Sequence, residues 1–597
     1  MNTSLANRIS DELLPKVRQP GQYIGGEVNQ LVQLGDWDRA DVRVAIAFPD
    51  AYTIGMSHLG SQILYWICNH TTDVCAERVY SPMLDAEKVM RERRIPLFTW
   101  DTRRSVIDAD ILAISLQYEL SFTNVLNLLD LASIPMHAAD RTDEHPLVIV
   151  GGPQADNPEP LAPFVDLVVI GDGEHSMAGI LQAMKEYKRD RTPRREMIAL
   201  MARRFPWIYA PNLYEIAYND DGTIAAMTPT AEGLPERIER CTTPDFETAV
   251  VPERPLIPWV ETVHDRIAIE IMRGCPNNCR FCHAGYTKRP LRYRSVDRIV
   301  ELAEKAYRAT GHNEIGLLSL STADYPHLHE LAERLNQRFA PQRVGLSFPS
   351  LRIDKMLQDI PWMSNNVRKG GLTLAVEAAG ERLRRAIRKK VADCDLMDGV
   401  RAAYEAGWAR VKLYFMAGFP GETEADIAGI WELSRAVSLA RRELGQAPAA
   451  VTASVGWLVP KPFTPLQWAA QPAKEYFLDI RRQLMTLKHE GRSAVKIHTH
   501  RVEMSVLEGV FARGDRRLAP AVLEAWKRGA RFDSWTEHFD DARWQEAFAA
   551  AGVDPAWYAH RERNIDEILP WDHIDSQMRR EKLAEAYADY HECMTAP

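Results

Sequence analysis

Cys275, Cys279 and Cys282 stand in a C-x3-C-x2-C spacing within GCPNNCRFCHAG (274–285), and Phe281 directly precedes the third cysteine. Thiolates at such spacing are ligands for iron–sulfur clusters or for zinc. A cubane cluster has four irons, so three cysteines leave one iron without a protein ligand. An open position of this kind separates a metal site built for chemistry from a closed structural one. On spacing alone two other readings stand: a zinc site completed by His283 or a distant cysteine, and an electron-transfer cluster. The other five cysteines, Cys68, Cys75, Cys241, Cys394 and Cys593, are scattered and read as small buried apolar side chains.

The cysteines need strands and helices to hold them, and the chain supplies two series. The first contains VRVAIAFP (42–49), DILAISLQ (110–117), PLVIVGG (146–152) and DLVVIGDGE (166–174). Helical spacing lies between them over Ser61–Asn69 and in SFTNVLNLLDLA (121–132), where Ser121 is placed to cap. Short apolar strands alternating with helices make a parallel sheet covered on both faces, an α/β Rossmann-like domain over 41–190 after a lead-in of 1–40. Ligands of such sheets sit outside the carboxyl ends of the strands, here FPDAYTIG, SLQYE, VGGPQA and IGDGE.

Residues 191–260 break the rhythm with a hairpin in 212–229, turning at Asp-Asp-Gly, and a Pro-rich strap over 243–259. The second series runs RIAIEIM (266–272), EIGLLSLS (314–321), VGLSFPS (344–350), GLTLAVE (371–377), RVKLYFMAGFP (410–420) and VTASVGWLVP (451–460). Six strands in βα order predict a partial (β/α)6 barrel over 261–470, with chemistry at the carboxyl ends of its strands. The cysteine loop follows the first of them. Residues 471–597 read as a mostly helical cap, in which HTHR (498–501), ARGDRRL (512–518) and RFDSWTEHFD (531–540) either line a substrate pocket or form salt-bridged surface around a Trp535 core.

The 597 residues carry a formal net charge of −9, with 46% apolar and 26% charged side chains. That balance describes a globular protein rather than a general nucleic-acid binder. No apolar run approaches the ~20 residues needed to span a bilayer, and MNTSLANRISDELLPKV lacks the apolar centre of a signal peptide, so a cytoplasmic protein is expected. The basic run RRAIRKK (384–390) reads as the solvated end of a helix, with RNA contact as the other reading.

The cysteine spacing, Phe281 and the position after the first barrel strand resemble the radical SAM superfamily over about residues 260–470. The resemblance implies a [4Fe-4S] cluster on Cys275, Cys279 and Cys282, its fourth iron chelated by the amino and carboxyl groups of S-adenosylmethionine (SAM). Reductive cleavage, fed by an electron donor such as flavodoxin or ferredoxin, then gives methionine and a 5′-deoxyadenosyl radical. STADY (321–325) takes the place of the family's second-strand motif, offering Ser321 and Asp324 where Gly-Gly-Glu is usual. Glu377 matches the acidic residue that contacts SAM, and Gly418 in MAGFPGET (416–423) the glycine motif after the fifth strand.

The first domain resembles the cobalamin-binding domain of a branch of that family. In many B12 proteins the first strand is followed by D-x-H-x-x-G, whose histidine binds cobalt. This chain has the same frame as Asp50, Tyr52 and Gly55, with tyrosine in the histidine position. Ser115 and the pair Gly151–Gly152 match residues that approach the corrin's nucleotide tail. The resemblance implies cobalamin held without a histidine lower ligand. From the fold alone, an ordinary Rossmann-like domain for another nucleotide is the competing reading. The expected activity is a cobalamin-dependent radical SAM C-methyltransferase acting on a small molecule, a peptide or RNA. A radical cyclisation or rearrangement, and a non-catalytic iron–sulfur scaffold, are the alternatives.

Overall fold

The computed structural model describes residues 4–347, 371–491 and 493–595. A six-stranded sheet organises the first part of the chain. Its strands are β1 (Val42–Phe48), β2 (Val74–Tyr80), β3 (Ile111–Ser115), β4 (Leu147–Gly151), β5 (Leu167–Val169) and β6 (Ile208–Tyr209). Their order is β2-β1-β3-β4-β5-β6, parallel except for β6, which runs antiparallel to β5. The order reverses between β1 and β3, the point at which doubly wound sheets open a crevice for a ligand.

The expected strands form β1, β3, β4 and β5. Edge strand β2, VCAERVY, went unread because Glu77 and Arg78 interrupt its apolar run. Both are nevertheless buried, at 0% and 3% exposure. Arg78 is held by Asp101 at 3.0 Å and Glu27 at 2.8 Å, and Glu77 accepts from the Thr99 and Thr102 hydroxyls. Paired and hydrogen-bonded charges are tolerated inside a sheet where isolated ones are not.

Strands β7 (Tyr214–Tyr218) and β8 (Ile224–Pro229) make the expected antiparallel hairpin. The barrel follows in two parallel pieces. One holds β9 (Ile267–Glu270) beside β12 (Glu314–Leu318) and β13 (Gly345–Ser347). A short antiparallel pair, β10 (Met272–Arg273) with β11 (Arg292–Tyr293), closes the neck of the cysteine loop. The second piece is β14 (Leu372–Glu377), β15 (Arg410–Ala417), β16 (Ala450–Trp457) and β17 (Val495–Thr499), in that order. The end of the expected VGLSFPS strand, 348–350, lies outside the described residues. Strand β17 adds a seventh member from the segment expected to be helical. Its sequence VKIHT buries Val495 and Ile497 and exposes Lys496 and His498, so its apolar content is only half a strand. Among the described residues no helix is long and apolar enough to cross a membrane.

Three expected core cysteines, Cys68, Cys75 and Cys241, are buried, but Cys394 is exposed and Cys593 partly so. Each of these two sits on a helix that packs only one face, Asp393–Glu405 and Arg580–Thr595.

The C-terminal cap docks on the first domain. Phe532 N–H donates to Asn124 Oδ1 at 2.8 Å, Thr123 donates to Asp533 Oδ2 at 2.8 Å, and Trp535 Nε1 donates to Asp50 Oδ1 at 2.9 Å. The RFDSWTEHFD segment is therefore an anchor. ARGDRRL is too: Arg516 pairs with Glu159 at 2.8 Å, and Arg517 donates to the Gly222 carbonyl of the β7–β8 turn at 2.8 Å.

Asp533 is 1% exposed and has only uncharged donors, Thr123 and Trp544. Burial outweighs them and pushes its carboxyl up to about 6. The folded chain thus keeps this proton to higher pH than the unfolded chain, whose aspartate titrates near ~4. Stability falls as pH rises through that window and is level above it. Replacing Asp533 by Asn is expected to remove a loss on the order of 2–3 kcal/mol across the window. Urea midpoints of both proteins between pH 4 and 7 read the difference; parallel curves would contradict it.

Candidate active site

The cysteine loop is set by its neck. Gly274 has φ of +88°, and a Cβ there would meet the Lys288 carbonyl at 2.8 Å, so only glycine makes this turn between β10 and Cys275. Beyond it, Asn277 Nδ2 donates to Asp324 Oδ2 at 2.7 Å, and Ser321 Oγ donates to the same oxygen at 2.8 Å. Asp324 thereby ties the loop after β12 to the cysteine loop, with Asn277 Nδ2 also 3.5 Å from Cys275 Sγ. At the end of β14, Glu377 takes φ of +70° and pairs with Lys389 at 3.5 Å. After β15, Gly418 N–H donates to Glu422 Oε1 at 2.6 Å, and Phe281 meets Phe419 edge-on at 6.0 Å between centroids.

The expected SAM-site residues Ser321, Asp324, Glu377, Phe281 and Gly418 thus lie around one loop. Burial, only partly offset by Lys389 and reinforced by the other thiols and Glu377, pushes Cys279 up to about 11. The three thiols do not converge on a point. Among the described residues no three His, Cys, Asp or Glu side chains are arranged to hold a single ion. A four-iron cluster spreads its cysteines further apart than one ion does, and these residues fit that group. His283, the candidate fourth zinc ligand, turns instead to Asp156, with Nε2 3.1 Å from Oδ2.

A cavity of about 690 Å³ opens beside this loop. One wall is the carboxyl edge of the first sheet: Ser115 and Gln117, Gly151 to Pro153, and Gly171 to Glu174. The other wall is Glu270, Met272 to Gly274, Lys288 and Leu318 to Leu320 from the barrel. Ser115, Gly151 and Gly152 therefore stand where a ligand of this sheet would lie. Gly152 has φ of +109°, and a Cβ would meet the Leu116 carbonyl at 2.6 Å.

Asp50, Tyr52 and Gly55 do not reach the cavity. Tyr52 is 1% exposed and donates to Glu27 Oε1 at 3.0 Å. Asp50 accepts from the cap through Trp535 and Ser534, and Gly55 lies against the Tyr80 ring. The tyrosine of the D-x-Y-x-x-G frame is a core residue, not a stand-in for a cobalt ligand.

Two histidines line the cavity, His264 and His58, and the sequence reading passed over both; His58 is fixed by its own helix. It caps the helix Leu59–Asn69 by accepting the Ser61 N–H on Nδ1 at 3.1 Å. Its neutral ring then carries the proton on Nε2, a donor rather than a lone pair. Burial, with Lys288 second, lowers it to about 4, so it is neutral at pH 7. The signal was SHLG (57–60), one residue beyond Gly55, a capping position in the loop after β1.

Charge couples the two walls. Arg273 lies 3.1 Å from Asp172, 2.6 Å from Glu174 and 2.8 Å from Glu270, while Arg292 holds Asp172 at 2.7 Å. Burial works to raise Asp172, but the two arginines prevail and bring it to about 2. The RRAIRKK run is divided: Arg384 is 1% exposed and donates to the Ala378 and Ala379 carbonyls, whereas Arg385, Arg388 and Lys390 are exposed at the end of the helix Glu381–Ala386, with Arg388 paired to Asp589 at 3.0 Å.

Because Asp324 joins two loops, its replacement by Ala should loosen the cysteines without unfolding the barrel. Iron and sulfide analysis after anaerobic reconstitution and desalting is expected to show at least a twofold lower cluster content than in the unaltered chain, with unchanged far-UV circular dichroism. Equal iron retention would show that the tie does not matter.

Comparison with known proteins agrees with this layout. Residues 60–211 match the family model described as Radical SAM proteins, N-terminal, and residues 269–433 match that of the Radical SAM superfamily. An uncharacterised protein of Methanocaldococcus jannaschii is 24% identical over 523 residues, covering 83% of this chain and 96% of its own. The ribosomal protein uS12 methylthiotransferase RimO of Desulfotalea psychrophila is 28% identical over 198 residues, 32% of this chain and 43% of its own length. The methyltransferase TsrM of Kitasatospora setae, solved with cobalamin and a [4Fe-4S] cluster, superposes with TM-score 0.48 at 13% identity, covering 85% of this chain and 99% of that one. The cobalamin-dependent SAM radical enzyme OxsB, with aqua-cobalamin and SAM bound, does so with TM-score 0.48 at 11% identity, covering 93% and 79%. With its N-terminal part and its barrel each matched by a model of one family, the chain belongs to the radical SAM superfamily.

Proposed function

We propose that the protein is a cytoplasmic, cobalamin-dependent radical SAM enzyme that methylates an unactivated carbon, with electrons from a flavodoxin- or ferredoxin-type donor. The observation that carries this reading is the cavity itself. It joins the switch point of a 2-1-3-4-5 sheet to the residues that lead into Cys275, so a cofactor seated there would border the cluster loop. When bound, the cluster with SAM supplies a carbon-centred radical and the corrinoid supplies the methyl group.

The chain's own residues have distinct tasks in this reading. Cys275, Cys279 and Cys282 hold the cluster, while Ser321, Asp324 and Glu377 face SAM. Gly152 lets a nucleotide tail pass the Leu116 backbone, and Ser115 offers it a hydroxyl. Because Nδ1 of His58 accepts the Ser61 N–H, its Nε2–H would be a hydrogen-bond donor to a bound corrinoid rather than a metal ligand. A corrinoid held without a histidine ligand would be easier to reduce.

Protein produced with B12 uptake is expected to carry corrinoid absorption bands, and a chain lacking them would refute the cobalamin assignment. After anaerobic reconstitution, dithionite and SAM should yield 5′-deoxyadenosine. Cys279→Ala should reduce that yield at least a hundredfold while leaving the corrinoid bands in place; persistence of the product would exclude the cysteine site. The cob(II)alamin electron paramagnetic resonance spectrum should be unchanged by ¹⁵N-histidine labelling, whereas a triplet-to-doublet change would mean that a histidine ligates cobalt.

A further inference from the structure

The inner face of the second barrel piece carries chemistry that neither the cluster loop nor the cavity uses. Along β15, Val411, Leu413, Phe415 and Ala417 are buried in an apolar core with the helices Asp393–Glu405 and Glu424–Glu443. The alternate residues Arg410, Lys412, Tyr414 and Met416 therefore face the barrel interior, where Tyr414 is 37% exposed. On β17, Val495 and Ile497 join the same core, which turns Lys496 and His498 inward.

Strand register sets these side chains side by side. Thr373, Lys412, Thr452 and Lys496 form one row across β14 to β17, and Ala375, Tyr414, Ser454 and His498 form the next. Beyond them His500, its N–H bonded to the Val455 carbonyl, continues the inward face of β17, and its ring lies 6.2 Å from that of His498. Neighbouring strands are ~4.8 Å apart, so Lys412 and Lys496 flank the hydroxyl-bearing strand β16 at backbone positions roughly 10 Å apart.

Among the described residues no carboxylate lies within ion-pair distance of Arg410, Lys412 or Lys496. The Lys412 ammonium instead rests 4.6 Å from the Tyr414 ring centroid. The one acid influencing His500, Glu508, is already engaged by Lys461 at 2.8 Å and by the Tyr118 hydroxyl at 2.6 Å. Like charges gathered on one inner face repel one another and lower the cost of bringing in an anion. Two strand spacings suit one phosphate or carboxylate group, and the net charge of −9 does not favour a polyanion such as RNA.

We infer that the inner face of β15 to β17 seats the anionic end of the substrate, an oxyanion clamped between Lys412 and Lys496 over the Thr452 and Ser454 hydroxyls, with His498 beside it. The inference deepens the proposed function and rests on it, since it takes the barrel interior as the place of reaction. Tyr414 supplies a flat apolar surface for the substrate's body, and the anion draws the Lys412 ammonium off that ring.

Pyridoxal 5′-phosphate tests this on the cluster-loaded protein. Its aldehyde and a lysine amine lose water to form an imine, which borohydride reduces to a stable secondary amine locatable by mass spectrometry. At limiting reagent, Lys412 or Lys496 should be labelled at least tenfold faster than the exposed Lys88 and Lys582, and tenfold faster than by pyridoxal, which lacks the phosphate. Millimolar orthophosphate or succinate should protect, the first marking a phosphate and the second a carboxylate as the preferred group. In Lys412→Gln, labelling of Lys496 should lose its preference for the phosphorylated reagent. Labelling no faster than at Lys88, equal labelling by pyridoxal, or protection by tRNA alone would overturn the inference. None of these readouts requires SAM or corrinoid, so their failure is separate from a failure to form 5′-deoxyadenosine.

Discussion

Arg273 is the point on which the two halves of the molecule depend. It is the last residue before Gly274 and the cysteine loop, and its guanidinium meets Asp172 and Glu174 of the first domain and Glu270 of the barrel, with only 12% of the side chain exposed. Three carboxylates around one arginine far exceed what charge balance needs; Arg292 on Asp172 and the nearby Lys288 restore it. Removing one partner of such a buried group leaves a charge with neither water nor counter-ion, a loss of about 3–5 kcal/mol. The cysteine loop is thereby fixed against the carboxyl edge of the first sheet, and the cavity is what lies between.

Other features follow from that junction. The loop after β4 reaches His283 through Asp156, which is also held by Arg240 at 2.6 Å, so the residue next to Cys282 is restrained from the far domain. The cap adds a second clamp. Trp535 occupies Asp50 at the end of β1, and Lys461 after β16 pairs with Glu119 after β3. A radical generated at the loop would thus form beside a cavity whose walls, from different domains, are tied together by ion pairs and hydrogen bonds, which favours steering a reactive intermediate to one carbon.

Much of this was legible in the sequence, for identifiable reasons. Buried parallel strands write near-continuous apolar runs, as β1, β3, β4, β9 and β12 do, whereas β15 was legible through its alternation. The cysteine spacing and the Gly151–Gly152 pair are local patterns, each written within a few consecutive residues. What escaped depends on pairing across the fold. β2 hides Glu77 and Arg78 because distant Thr99 and Asp101 satisfy them, and β17 looks polar because only one face is covered. Tyr52 sits in a motif frame, yet its hydroxyl answers to Glu27, twenty-five positions earlier. His58 is a helix cap by sequence and a cavity wall only by topology.

The central claim is that corrinoid and cluster share one cavity wall, and the distance between two unpaired electrons measures it. In protein carrying cob(II)alamin and a dithionite-reduced cluster, electron paramagnetic resonance should show the cobalt lines broadened and their relaxation quickened by the neighbouring cluster, an effect absent in Cys279→Ala with equal corrinoid content. A cobalt spectrum identical in both proteins, with the reduced cluster's own signal present in the first, would mean that the two centres lie in separate places and would contradict the account.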